Sequence, residues 1–296
     1  MKKTWKESYF SMLAAMLIFG SIAVFRRNLP LSSATLACVR GILGAAILSA
    51  IRLCSGKTLF KGIPRKSLWQ LALTGALIGM NWMLLFEAYN YTSVATATLC
   101  YYMEPTLLIL FSALLFGEKL TSKKSLSALL SLFGMVLVSG ILGGASAGPD
   151  NWKGILLGLA SALLYTFVVL LNKRVKLEDD YARTVIQLCA AALVLLPGVL
   201  LKEDLSALKM PPDRIILLLI LGFVHTGIAY VMYFASLKRL PSQSVAILSY
   251  VDPVSALFFA AIFLKERLTL AGILGAVLII GAALFSELSP KRKEKT

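Results

Sequence analysis

Two short sequences hold the residues that could do chemistry in this 296-residue chain: Glu104-Pro105 and Asp252-Pro253, each embedded in an otherwise apolar run. A carboxylate at the centre of a bilayer costs about 2.5 to 3.5 kcal/mol on insertion scales. A proline within such a run leaves the carbonyl four residues back, here Tyr101 and Ser249, without its helical partner. Charge and broken backbone at membrane depth are tolerated only against protein or a cavity, so both acid-proline pairs are expected to face one interior site.

The other ionisable candidates are Arg40, flanked by Ala37, Gly41 and Gly44, and the single histidine, His225. Ionisable groups inside a membrane are functional candidates by default. A packing role competes with that reading: Arg40 can serve as a structural ion pair and His225 as a hydrogen-bonded core histidine. Glu104 and Asp252 could equally cap the backbone freed at the prolines. Arg40 belongs to the first half of the chain, and the corresponding region of the second half, around Gln187, carries no charge. Glu104 is therefore expected to be the fixed partner of Arg40, and Asp252 the acid through which protons couple to function. Asn81 and Trp82 lie deep in the run NWMLLFEAYNYT, and Tyr101 and Ser249 share helix faces with the acids by three- and four-residue spacing. A guanidinium beside carboxylates can hold a carboxylate at one end and an ammonium at the other.

The elements that position these residues come in two copies. Tyr102, Pro105, Phe111, Ala113, Glu118, Leu120 and Thr121 recur in register, without a gap, as Tyr250, Pro253, Phe259, Ala261, Glu266, Leu268 and Thr269. Such self-similarity decides the architecture before any local reading does. Hydrophobic residues make up 58% of the chain and mean hydropathy is +0.80, which excludes a soluble domain with an ordinary surface. A span needs about 20 mostly apolar residues. That template gives ten: 9–25, 34–53, 68–89, 94–116, 125–142, 154–172, 184–201, 215–237, 245–264 and 270–285. Five spans per copy is an odd number, so the second copy is inverted. The expected fold is an all-α integral membrane protein of ten transmembrane helices, with repeats at 1–147 and 148–296. Inverted repeats in transporters place substrate and ion sites near the midplane, on interrupted helices, and let one half rock against the other.

A net charge of +15 would point to nucleic acid in a soluble protein. Here the Lys and Arg residues crowd alternate connections, which sets topology and places both termini in the cytoplasm of a multi-pass plasma-membrane protein. Lys2, Lys3 and Lys6 precede an apolar run, but no small-residue cleavage site follows, so residues 9–25 read as a span. Gly75/Gly79 and Gly154/Gly158 have the spacing of close helix contacts, whether within one chain or between chains. Cys38, Cys54, Cys100 and Cys189 lack metal or disulfide spacing. With one histidine there is no HExxH, no GxSxG occurs, and Gly56-Lys57-Thr58 lacks the upstream glycine of a phosphate loop. No catalytic residues, metal or cofactor are expected. The GEKLT and KERLT turns, 117–121 and 265–269, read as structural helix ends.

Two five-span halves, each with an acid-proline in its fourth span followed by an ERLT-like turn, resemble the EamA family of the drug/metabolite transporter superfamily. The likeness runs from about Phe10 to Phe285. It implies a ten-helix inverted-repeat transporter with a central cavity, moving amino acids, amines or other metabolites, often outward, and it transfers no single substrate. The reading is a secondary transporter, exporting a small polar organic metabolite such as an amino acid or amine by alternating access. A passive channel is one alternative. A membrane-embedded lipid-modifying enzyme is another, and it would be active without a sealed compartment.

Overall fold

The computed structural model describes residues 5–56, 58, 62–116, 122–138, 150–172, 175, 177, 179–203, 206, 209–237, 240, 248–249 and 251–287. The first copy of the repeated turn at 117–121, Tyr250 and the basic tail lie outside the described residues.

Among the described residues the chain is all helix. Helices α1 (Trp5–Arg27), α2 (Ser33–Cys54), α3 (Arg65–Tyr91), α4 (Val94–Tyr101), α5 (Glu104–Phe116) and α6 (Ser122–Val138) come from the first copy. Helices α7 (Asn151–Asn172), α8 (Asp180–Lys202), α9 (Pro212–Ile220), α10 (Ala229–Leu237), α11 (Val251–Phe263) and α12 (Leu270–Glu287) come from the second. A π-helical segment, Leu221–Ile228, joins α9 to α10 without a break. Among the described residues six stretches are long and apolar enough to cross a membrane: α1, α2, α3, α7, α8 and the run Pro212–Tyr233. Three of the four remaining expected spans appear as shorter apolar helices, Ser125–Leu137, Val251–Phe263 and Leu270–Ala282.

The expected span 94–116, with its break near Pro105, is two helices, α4 and α5. Thr98 accepts the Tyr102 N–H at 2.9 Å, and Cys100 accepts the Met103 N–H at 3.1 Å, so the last turn of α4 tightens and stops. Pro105 then falls in the first turn of α5, where a proline costs no helical hydrogen bond because the N–H groups there have no intrahelical partner anyway. Pro253 occupies the same place in α11. Pro105 thus opens a new half-helix instead of kinking an existing one, and each acid sits in a first turn. The positive end of the helix dipole favours a carboxylate at that position.

The most extensive packing crosses between the two copies: α3 lies on α7 and α8, α2 on α8 and the π segment, α1 on α10 and α11, and α6 on α12. Small residues permit it. A Cβ on Gly75 would stand 2.4 Å from the Gln187 carbonyl oxygen, and one on Gly79 would stand 2.7 Å from that of Ala191. The α3–α8 contact is therefore backbone against backbone. Trp69 and Trp152 point outward at helix starts, as expected of belt residues.

Polar contacts tie the copies at opposite ends of the bundle. At the end where α1 and α3 finish, the Glu266 carboxylate lies 3.9 Å from Arg27. It also accepts the Val94 and Ala95 N–H groups at 2.8 and 3.0 Å. At the other end Arg52 pairs with Asp179 at 2.7 Å.

Candidate functional site

Between the group α1, α10 and α11 and the group α3, α4, α5 and α7 lies a cavity of about 440 Å³, with Arg40 of α2 also on its wall. First helical turns deliver the acids to it: Glu104 from the start of α5 and Asp252 from the start of α11. Tyr102, at the α4–α5 junction, lines the same cavity as Asp252 of the other copy.

Arg40 is only 4% exposed. Its Nε donates to Thr226 Oγ1 at 2.8 Å. Its guanidinium carbon stands 4.3 Å from the centroid of Trp82, with Phe86 further off at 5.9 Å. Such a cation–π contact is worth about 2 kcal/mol when desolvated and lets an arginine stay charged with little water. Among the described residues no carboxylate lies within ion-pair distance of the Arg40 guanidinium. The expected pairing of Arg40 with Glu104 is therefore corrected. Glu104 follows the break on α5 against α7, while α2 faces α8 and the π segment.

Of the residues expected at the site, Arg40, Trp82, Tyr101, Glu104, Ser249 and Asp252 line the cavity together. Asn81 and His225 do not. Asn81 is fully buried on the other side of α3, where its Nδ2 donates to the Ser161 carbonyl at 2.6 Å and to Ser161 Oγ at 2.7 Å, pinning α3 to α7. His225 packs its ring 4.5 Å from that of Phe25, with Nε2 2.9 Å from Ser21 Oγ and Nδ1 3.3 Å from the Ile220 carbonyl. Pro253 is buried in its helix turn, and no His, Cys, Asp and Glu cluster among the described residues could hold a metal.

Sequence reasoning gave too little weight to the tyrosines. Tyr89, Tyr102, Tyr165, Tyr230 and Tyr233 join Tyr101 on the wall, together with Phe19 from α1. Their rings touch one another, Tyr101 with Tyr165 at 5.9 Å and Phe19 with Tyr230 at 5.4 Å. The signal available was tyrosine within an apolar run, because a buried phenol needs a partner that hydrocarbon does not supply. Thr226 gave no signal at all. The arrangement offers one cation, two acids and a ring of aromatic faces. It can bind a small amphiphilic ion.

Comparison with known proteins gives the family and the fold. The EamA-like transporter family matches residues 6–140 and again 152–288. An uncharacterized transporter, YxxF, of Bacillus subtilis is 30% identical over 285 residues, spanning 95% of this chain and 90% of its own. The aromatic amino acid exporter YddG of Ancylobacter novellus is 28% identical over 221 residues, or 74% of this chain and 75% of its own. A solved crystal structure superposes with a TM-score of 0.66 at 23% identity, covering 95% of this chain and 98% of that one, which shows a shared fold.

Proposed function

Because the chain belongs to the EamA-like transporter family, a multi-pass membrane transporter and not an enzyme, we propose that it exports a small zwitterionic metabolite of the amino-acid class through the Arg40–Asp252 cavity. The observation that carries this reading is the convergence, on one aromatic-lined cavity, of a single buried guanidinium with a carboxylate from each copy of the repeat. Arg40 receives the substrate carboxylate, since a guanidinium fork matches a carboxylate in two parallel hydrogen bonds. Glu104, which α5 brings to the same cavity, receives the ammonium group, and the tyrosine faces take the side chain. The exporter named among the relatives supports an amino acid over a sugar or nucleotide.

In this reading the chain forms ten spans as two inverted repeats, 1–147 and 148–296, in the plasma membrane with both termini cytoplasmic. Alternating access opens the cavity to one side at a time. Since the closest packing crosses between the copies, the moving bodies are mixed groups, α1 with α10 and α11 against α3 with α4, α5 and α7. Proton coupling would act through the acids, where an incoming proton and the substrate ammonium compete for one carboxylate.

The test is counterflow in proteoliposomes loaded with unlabelled amino acids. Labelled amino acid should accumulate transiently in sealed vesicles and not in leaky ones, and Arg40→Gln should abolish it. A second reading, an organic cation, is favoured by the two acids facing one arginine. Flux of amines with none of any amino acid would establish it and overturn the first.

A further inference from the structure

The π-helical segment Leu221–Ile228 is not absorbed by the transport reading, yet it touches the one buried cation of the cavity. Single π turns inside α-helices are rare and occur mostly at functional sites. In this one the Thr226 hydroxyl donates its proton to the Leu221 carbonyl, five residues back, at 3.3 Å. With its proton committed there, Thr226 Oγ1 can only accept, and it accepts from Arg40 Nε at 2.8 Å. Thr226 is fully buried at 0% exposure, so no water competes for that lone pair.

The opposing helix is cut to fit. Gly44 follows Arg40 by one turn of α2, and a Cβ there would stand 2.3 Å from Thr226 Cγ2. The absent side chain is the space Thr226 occupies. On its other side the guanidinium lies against the Trp82 ring at 4.3 Å. Nε and one face are thus fixed by protein. Among the described residues the two terminal nitrogens make no hydrogen bond, and no carboxylate comes within ion-pair distance of them, while Arg40 lines the cavity.

We propose that Thr226 is a positioning residue, which with Trp82 locks Arg40 so that its two terminal N–H groups face the cavity as a fork for a substrate carboxylate, and that the π turn sets the preference for carboxylated over decarboxylated ligands. This rests on the reading of Arg40 as the carboxylate receptor. A free arginine side chain loses much rotamer entropy when a ligand immobilises it, and a preorganised fork loses less.

The experiment measures binding of leucine against isoamylamine, and phenylalanine against phenethylamine, to the purified full-length protein. The variants are Thr226→Val, Thr226→Ser and Arg40→Gln. The wild type should favour the carboxylated member of each pair. Thr226→Val should lower that preference about 10-fold with amine affinity unchanged, and Thr226→Ser should restore it. If Thr226→Val does not give monodisperse protein, Gly44→Ala, which displaces the Thr226 methyl, carries the same test. A wild-type ratio in Thr226→Val or Gly44→Ala, alongside a lost preference in Arg40→Gln, would overturn the role of Thr226 and leave the transport reading intact. No preference in the wild type and no effect of Arg40→Gln would overturn the carboxylate reading itself, and this proposal with it.

Discussion

The Glu266 carboxylate, from the turn after α11, accepts the Val94 backbone N–H at 2.8 Å and so caps α4, a helix of the other copy. The Ala95 N–H reaches the same side chain at 3.0 Å, and Ser93 Oγ takes the Thr96 N–H, so the first turn of α4 is satisfied from both copies. Removing a cap costs about 0.5 to 2 kcal/mol. Glu266→Ala should therefore lower the thermal midpoint in detergent by several degrees, whereas Glu266→Gln, which keeps one acceptor oxygen, should lower it less. Equal midpoints for all three proteins would show that the cap contributes nothing.

Asn81 is expected to be a staple and not a ligand group. Its two contacts to Ser161 are buried, and leaving such partners unsatisfied costs about 1 to 3 kcal/mol. Asn81→Ala should then lose stability by that amount in a denaturation assay while the surviving protein binds substrate with wild-type affinity. A large loss of affinity with unchanged stability would return Asn81 to the site.

The repeat and its two acid-proline pairs were legible because they are sequence identities in register, and the depth of charge in an apolar run has one physical reading. The break between α4 and α5 was legible for the same reason, through Pro105. The partner of Arg40 was not. Pairing it with Glu104 assumed that residues of the same copy sit together, but the close packing runs between copies, so α2 faces α8 and the π segment instead of α5. His225 and Thr226 are adjacent in sequence and differ in role by one turn geometry. Thr226 reaches Arg40 and His225 turns to Ser21. No spacing rule exposes a π turn. Tyr165 was missed because a tyrosine packed between helices and one on a cavity wall have the same neighbours in sequence.

That Asp252 and Arg40 line one cavity has a signed consequence for ligands. Asp252 competes with a substrate carboxylate for the same cation, so Asp252→Asn should tighten binding of a carboxylated ligand that lacks an amine. Glu104→Gln should weaken binding of amines instead. An ion interaction of about 1 kcal/mol corresponds to roughly fivefold in affinity. Isothermal titration with isocaproate and isoamylamine reads both directions. Weaker carboxylate binding in Asp252→Asn would mean that the acid supports the Arg40 fork instead of competing with it.

Transport by alternating access predicts that one point on the cavity wall is never open to both sides together. Ala256 and Thr98 line the cavity from α11 and α4, on opposite moving groups. Each would be replaced by cysteine in a protein lacking Cys38, Cys54, Cys100 and Cys189, then exposed to a membrane-impermeant thiol reagent from one face of oriented vesicles at a time. With both acids intact and no substrate, one face should label faster by about 10-fold or more, and saturating substrate should shift labelling toward the other face. Fast labelling of the same cysteine from both faces, unchanged by substrate, would contradict the account and identify the cavity as an open channel.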